Sequence, residues 1–116
     1  MKIIVAGSRE IDSRDLIYSE LLKLSDQIDI TEIVSGKARG PDTIGEEWAN
    51  LERIPVKEFP ADWDNWGKSA GFIRNEEMAN YADELFAFWD GKSQGTKHMI
   101  KSMLERNKPF QVILVR

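Results

Sequence analysis

Three short stretches place glycine, small hydroxyl residues and cations where a backbone could close around an anion. They are Gly7-Ser8-Arg9, Ser35-Gly36-Lys37-Ala38-Arg39-Gly40-Pro41-Asp42 and Asp90-Gly91-Lys92-Ser93-Gln94-Gly95-Thr96. Glycine lets main-chain N–H groups approach a ligand closely, and Arg9, Lys37 and Arg39 add positive charge. Arg74 and Asn75, in "IRNEEM", add another cation beside a two-way hydrogen-bonding amide. The chemistry these residues favour is recognition of a phosphate ester. Other chemistries have less to draw on. There is no cysteine, so disulfides, thiolate metal sites and cysteine nucleophiles are ruled out, and His98 is the sole histidine. A histidine-rich metal cluster is therefore not expected, nor is a Ser-His relay with a spare imidazole. "AGSREI" lacks the G-x-G-x-x-G dinucleotide fingerprint, and "GKARGPD" lacks the GK[ST] ending of a P-loop.

These stretches can act together only if the elements between them bring them to one place. The pattern alternates strand and helix five times. Strands are expected at 2–7, 31–36, 54–59, 83–90 and 110–115. Helices are expected at 12–28, 41–53, 70–82 and 96–107, with 60–69 irregular and "GKSQG" a loop. The second helix has Pro41 in its first turn, where a missing N–H costs nothing, and presents Ile44, Trp48 and Leu51. Gly45 weakens it slightly. Pro55 points to a sheet edge. The unbroken "FQVILV" run reads as a strand buried on both faces. Such alternation predicts one α/β domain over 1–116: a Rossmann-like, three-layer fold whose parallel five-stranded sheet has order 3-2-1-4-5.

A parallel sheet sends every strand-to-helix loop to its carboxyl edge. Arg9, Lys37, Arg39, Lys68 and Lys92 fall in those loops, with Arg74 and Lys97 just beyond. The opposite loops carry Asp26, Asp29, Arg53, Asp83, Arg106 and Lys108, which are mixed in sign. Helix N-termini point free N–H groups toward the same carboxyl edge, which favours an anion there. This gathering of charge is the more notable because the 116-residue chain has a formal net charge of -4. An acidic chain makes a poor general binder of nucleic acid polymers. It is 41% hydrophobic and 31% charged, as a soluble globule would be, with no run long enough to span a membrane and no signal peptide. A cytoplasmic setting is the expectation, with no bound metal or cofactor.

Other residues have two readings each. Asp42 could accept from a ribose hydroxyl or simply favour a helix dipole, and Asp90 likewise. Trp63 and Trp66 could stack on a base, pin the long loop or form a dimer contact. Trp48 and Trp89 lie in regular elements and read as core. His98 sits beside Met99 and Ile100 and reads as half-buried. A small sheet with exposed tryptophan leads us to expect a homodimer or higher homo-oligomer.

Taken in order, "VAGSRE", "VSGKARGPDTIGEEWA", "FPADWDNWGKSAGFIRNEEM" and "AFWDGKSQGTKHMI" resemble the YspA-type, YpsA-related branch of the SLOG superfamily. The likeness runs over nearly the whole chain. It implies a Rossmann-like fold and a nucleotide-derived ligand. Relatives include LOG-type phosphoribohydrolases, which cleave the N-glycosidic bond of nucleoside 5'-monophosphates, and sensor domains for ADP-ribose-type signals. Gly91 to Thr96 is similar to the phosphate-holding Gly-Gly-x-Gly-Thr turn of LOG proteins, with Ser93 in place of one glycine and Gly95 and Thr96 matching. Arg74 matches their active-site arginine. Their glutamate two residues after the threonine is His98 here. Glycosidic cleavage builds positive charge on the sugar, which a carboxylate stabilises and a neutral imidazole does not. Glu76, Glu77 and Asp42 are the other carboxylates expected near that edge. The resemblance therefore implies a binding or sequestering protein for a nucleotide derivative. Its alternatives are a nucleotide N-glycosidase using Arg74, Glu77 and His98, and an interaction scaffold with a vestigial pocket.

Overall fold

Ile3, Ile4 and Val5 follow one another with no polar residue between them, and all three are fully buried. A strand whose neighbouring side chains are all buried must be covered on both faces. The computed structural model, which describes residues 1–116, shows how. The elements are β1 (Lys2–Gly7), α1 (Arg14–Gln27), β2 (Glu32–Ser35), α2 (Pro41–Leu51), β3 (Val56–Glu58), α3 (Trp63–Trp66), α4 (Ala70–Tyr81), β4 (Glu84–Trp89), α5 (Gln94–Glu105) and β5 (Phe110–Leu114). All neighbouring strands pair in parallel, in the order β3-β2-β1-β4-β5. This is the sheet order the sequence predicts.

Period-two alternation divides the core between two layers. Ile3 and Val5 of β1 and Phe86 and Phe88 of β4 meet Ile17 and Leu21 of α1 and Ile44 and Trp48 of α2. Ile4 and Ala6, with Leu85 and Ala87, meet Met78 and Ala79 of α4 and Met99 and Met103 of α5. Burying one such side chain stabilises the fold by roughly 2 kcal/mol. Local signals set where the helices start. The Ser13 Oγ accepts from the Leu16 N–H at 3.3 Å, so α1 begins two residues later than the sequence reading. The Ser93 Oγ accepts from the Thr96 N–H at 3.4 Å, so α5 begins two residues earlier. No helix is long and apolar enough to cross a membrane.

Four expectations need correction. Residues 60–69 are not irregular: they hold α3, capped by Asp62 accepting from the Asn65 N–H, and a 3-10 turn, Gly67–Ser69. Leu51, the last residue of α2, is exposed, whereas Trp48 and Ala49 of the same turn are buried in the core. Trp89 is only half-buried; it lies at the end of β4 and donates from Nε1 to the Ser93 carbonyl at 3.1 Å. β5 is not buried on both faces, since it forms the second edge of the sheet and exposes Val112 and Leu114.

Gly45 proves to be a contact, although its composition argued weakly against a helix. A Cβ there would lie 2.8 Å from Val5 Cγ1 and 2.9 Å from Val5 Cβ. α2 therefore rests on β1 almost backbone to side chain, which brings its first turn down to the end of β1. Gly45→Ala should gain about 1 kcal/mol of helix propensity but lose more to overpacking against a β-branched neighbour, about 1–3 kcal/mol. Urea unfolding should show a net loss, and a variant as stable as the parent would contradict this packing.

Candidate functional site

β1, β2 and β4 end side by side, and each chain then turns into a helix, so the site forms where these three turns meet. Two tethers fix the junction of β1 and β4. The Ser8 N–H donates to the Phe88 carbonyl at 2.9 Å, and the Asp90 N–H donates to Ser8 Oγ at 3.0 Å. Gly7 must be glycine here, because a Cβ would fall 2.2 Å from the Phe88 carbonyl oxygen and 2.7 Å from the Pro41 ring. Asp90 accepts from the Lys92 and Ser93 N–H groups, both at 2.8 Å, which folds the turn tightly and holds its carboxyl below the usual range.

The turns enclose a cleft of about 360 Å³. Gly7, Ser8, Arg9, Ala38, Asp42, Arg74, Asn75, Asp90, Ser93, Gly95 and Thr96 line it, so most of the residues singled out in the sequence come together. Glu10, Met78 and Met99 join them. The start of α5, a twelve-residue helix, forms one wall with Gly95 and Thr96. A neighbouring recess of about 340 Å³ shares Arg9, Ala38 and Arg74 and adds Gly36, Lys37, Arg39 and the ring of Trp63.

Other singled-out residues fall elsewhere. Ser35 is fully buried beneath the site and donates to Glu46 Oε2 at 2.6 Å. Gly40 is the N-cap of α2 at φ 84°, packed on the carbonyls of Arg9 and Ile11. Gly91 lines a separate depression with Leu114. Trp66 and Glu77 point to solvent and line neither recess. His98 lies behind the cleft wall, stacked on Phe72 with ring centroids 4.4 Å apart, with Nε2 3.3 Å from Glu76 Oε1. Glu76 itself is held by Arg106 and by Ser102.

Arg74 is the structural centre of the cleft. Its Nη1 donates to the Gly36 carbonyl and its Nε to Asn75 Oδ1 at 3.1 Å. Asn75 in turn donates from Nδ2 to the Gly95 carbonyl at 3.1 Å and stands 3.2 Å from His98 Nδ1. One hydrogen-bonded chain thus joins the end of β2, α4 and the start of α5. Arg74 has no carboxylate within ion-pair distance, and burial, with the nearby Arg9, lowers its pKa from the ordinary arginine value. Arg9 is exposed and likewise unpaired. Lys37 and Arg39 differ. The Lys37 ammonium sits 2.8 Å from Glu46 and 2.9 Å from Glu58, which push its pKa up to about 12, and Arg39 pairs with Glu10. Sequence reasoning counted cations in the loops but missed the carboxylates that α2 and β3 bring to them. One signal was available: Asp42 and Glu46 stand four apart on a helix and so share a face.

Asp42 is only 4% exposed, and its Oδ2 accepts from the Ala38 N–H at 3.3 Å. Burial raises its pKa to about 7, partly opposed by Arg74 and by the Ala38 and Gly36 N–H groups. A buried carboxyl that titrates near neutrality beside a cation can hold or release a proton at working pH. The consequence for stability has a definite sign. The folded protein keeps this proton up to about pH 7, whereas the unfolded chain loses it near 3.8. The contribution is therefore intact below pH 3.8 and is lost as pH rises through 7, by up to about 4 kcal/mol. Asp42→Asn should flatten the stability profile between these limits and raise the melting temperature at pH 8. A parallel profile in parent and variant would show that Asp42 is ionised throughout.

Comparisons with known proteins agree with this architecture. A solved structure, DNA processing protein A (DprA) from Streptococcus pneumoniae, superposes with a TM-score of 0.80 over 99% of this chain. At 16% identity that likeness concerns the fold alone, and the chain spans 50% of that protein's length. The Gene 61 protein of Mycobacterium phage D29 is 31% identical over 118 positions, covering 93% of this chain and 92% of that protein. The family model described as "YspA, cpYpsA-related SLOG family" matches residues 1–66. The chain belongs to the YspA, cpYpsA-related SLOG family.

Proposed function

We propose that this protein binds a nucleotide-derived, phosphate-bearing small molecule at the carboxyl edge of its sheet, as a sensor or sequestering protein. One observation carries this reading. Lys37 and Arg39 are neutralised by glutamates, whereas Arg9 and Arg74 have no anionic partner, and both line the cleft. A half-buried guanidinium without a direct ion-pair partner favours an incoming anion, and its planar donors suit a phosphate. The free N–H groups at the start of α5 point the same way. In this reading Asp42, which lines the same cleft, accepts from a ribose hydroxyl. The family also favours a nucleotide-related ligand. The ADP-ribose type, a cytoplasmic setting and the absence of polymer binding are finer parts of the same proposal.

A specific observation favours a second reading, a nucleotide N-glycosidase. Asp42 is a carboxyl in the cleft with a pKa of about 7 and lies near Arg74. It is better placed for such chemistry than Glu77 or His98, which lie outside the cleft. As a carboxylate it would stabilise positive charge developing on a sugar, or take a proton from the attacking water.

The test is incubation with nucleoside monophosphates, NAD, ADP-ribose and cyclic relatives, followed by mass spectrometry of the filtrate. Depletion of a compound that returns intact on denaturation supports binding. A free base with a ribose phosphate supports the glycosidase. Arg9→Ala and Arg74→Ala should each weaken binding by tens-fold, as expected for losing a charge-assisted hydrogen bond of about 2 kcal/mol. Lys37→Ala with Arg39→Ala should cost less than either. The reverse ranking would move the anion site into the second recess.

A further inference from the structure

The two edges of the sheet are built differently. β3 is short, Val56–Glu58, follows Pro55 and carries Lys57 and Glu58. Shortness, proline and charge are the usual guards against edge-to-edge pairing. β5, Phe110–Leu114, also follows a proline, Pro109, but it is longer, carries no charge and has no bulge in its pairing with β4. Val112 is 37% exposed and Leu114 51% exposed. α5 extends this apolar strip. Its Ser102 and Arg106 reach Glu76 of α4, so Leu104, 61% exposed, lies on the side of α5 away from α4 and toward β5.

The hydrogen-bond pattern shows which groups of β5 are open. The Val115 N–H donates to the Trp89 carbonyl, and the Pro109 carbonyl accepts from the Leu85 N–H. Main-chain groups alternate in direction along a strand. Those of Phe110, Val112 and Leu114 therefore point outward.

We propose that β5 is the interface of a homodimer, in which two copies pair their β5 strands antiparallel about a two-fold axis through Val112 and join two sheets into one. In this register Val112 faces its own copy and Phe110 faces Leu114, so each outward residue meets an outward residue and all their N–H and C=O groups bond. The strand is self-complementary, as an isologous contact requires, and carries no charge to repel its copy. Val112, Leu114 and Leu104 come together across the axis. Arg116 falls opposite Lys108 of the other copy, but that ammonium is turned inward onto the carbonyls of Ala79, Asn80 and Ala82. A second copy fits this edge better than an unrelated peptide strand, because the outward row Phe110, Val112 and Leu114 is self-complementary about Val112 and β5 holds no charged side chain to select a different partner. The interface is independent of the nucleotide reading above.

Sedimentation of the parent chain should show a dimer. Val112→Pro removes only an outward N–H, which an edge strand tolerates, so it should give a folded monomer with unchanged circular dichroism. Leu104→Glu should weaken the dimer at least tenfold. The chain has no cysteine, so Val112→Cys can form a disulfide only between copies. Directly opposed residues in a hydrogen-bonded antiparallel pair lie about 5.5 Å apart at Cα, within the roughly 4.4–6.8 Å a disulfide spans. Mild oxidation should therefore yield a covalent dimer, whereas Leu22→Cys, exposed on α1, should not. A monomeric parent overturns the proposal. So does a dimer that survives Val112→Pro while Val112→Cys fails to cross-link.

Discussion

The Arg74 guanidinium makes demands on everything around it. A half-buried charge is costly unless its donors find partners and its field is at least partly balanced. Two of its nitrogens donate, Nη1 to the Gly36 carbonyl at the end of β2 and Nε to Asn75 on its own helix. Asn75 passes the constraint to the Gly95 carbonyl at the start of α5. Three segments far apart in sequence are thereby set against one another. Gly36 itself must stay small, since a Cβ there would lie 2.7 Å from Arg74 Nη1. The field is balanced only in part. Asp42 is near enough to act on Arg74 but forms no direct ion pair with it, and burial opposes its ionisation.

That incomplete balance separates two kinds of cation at one sheet edge. Lys37 and Arg39 have glutamates at hand, and their charge is spent on structure. Exposed pairs of this kind add little stability, but they lower the local potential available to a ligand. Arg9 and Arg74 keep theirs. The two unpaired guanidinium groups thus share one cleft, which is not a uniformly basic rim, since Glu10, Asp42 and Asp90 also line it.

The fold serves this arrangement through close backbone approach. Gly45 lets α2 settle on Val5, and Gly7 lets β1 run past Phe88 and Pro41. Both contacts sit within one turn of the cleft. The periphery is looser. α3 and its 3-10 extension lean on α4 and leave Trp63 and Trp66 half in water. β5 leaves one row of peptide groups unpaired.

Much of this was legible in the amino-acid sequence. The alternation of β-branched runs with helix-spaced apolar residues determined the parallel sheet. Right-handed crossovers favour a doubly wound sheet, of which 3-2-1-4-5 is one common order, and parallel pairing alone sets the edge to which Gly7, Gly36 and Gly95 belong. These follow from chain stereochemistry and hold whatever the details of packing. "FQVILV" was misleading because an uninterrupted apolar run has the same composition in a buried central strand and in an open edge strand. Only the position of β5 at the end of the sheet separates the two. Likewise, counting charges by loop placed Lys37, Arg39, Arg9 and Arg74 together, as the local sequence allows. Only the tertiary structure decided that Glu46, Glu58 and Glu10 meet the first two and that Asp42 is nearly buried near Arg74. Ion pairing and desolvation depend on distances of a few ångströms between segments far apart in the chain, and no local pattern encodes those.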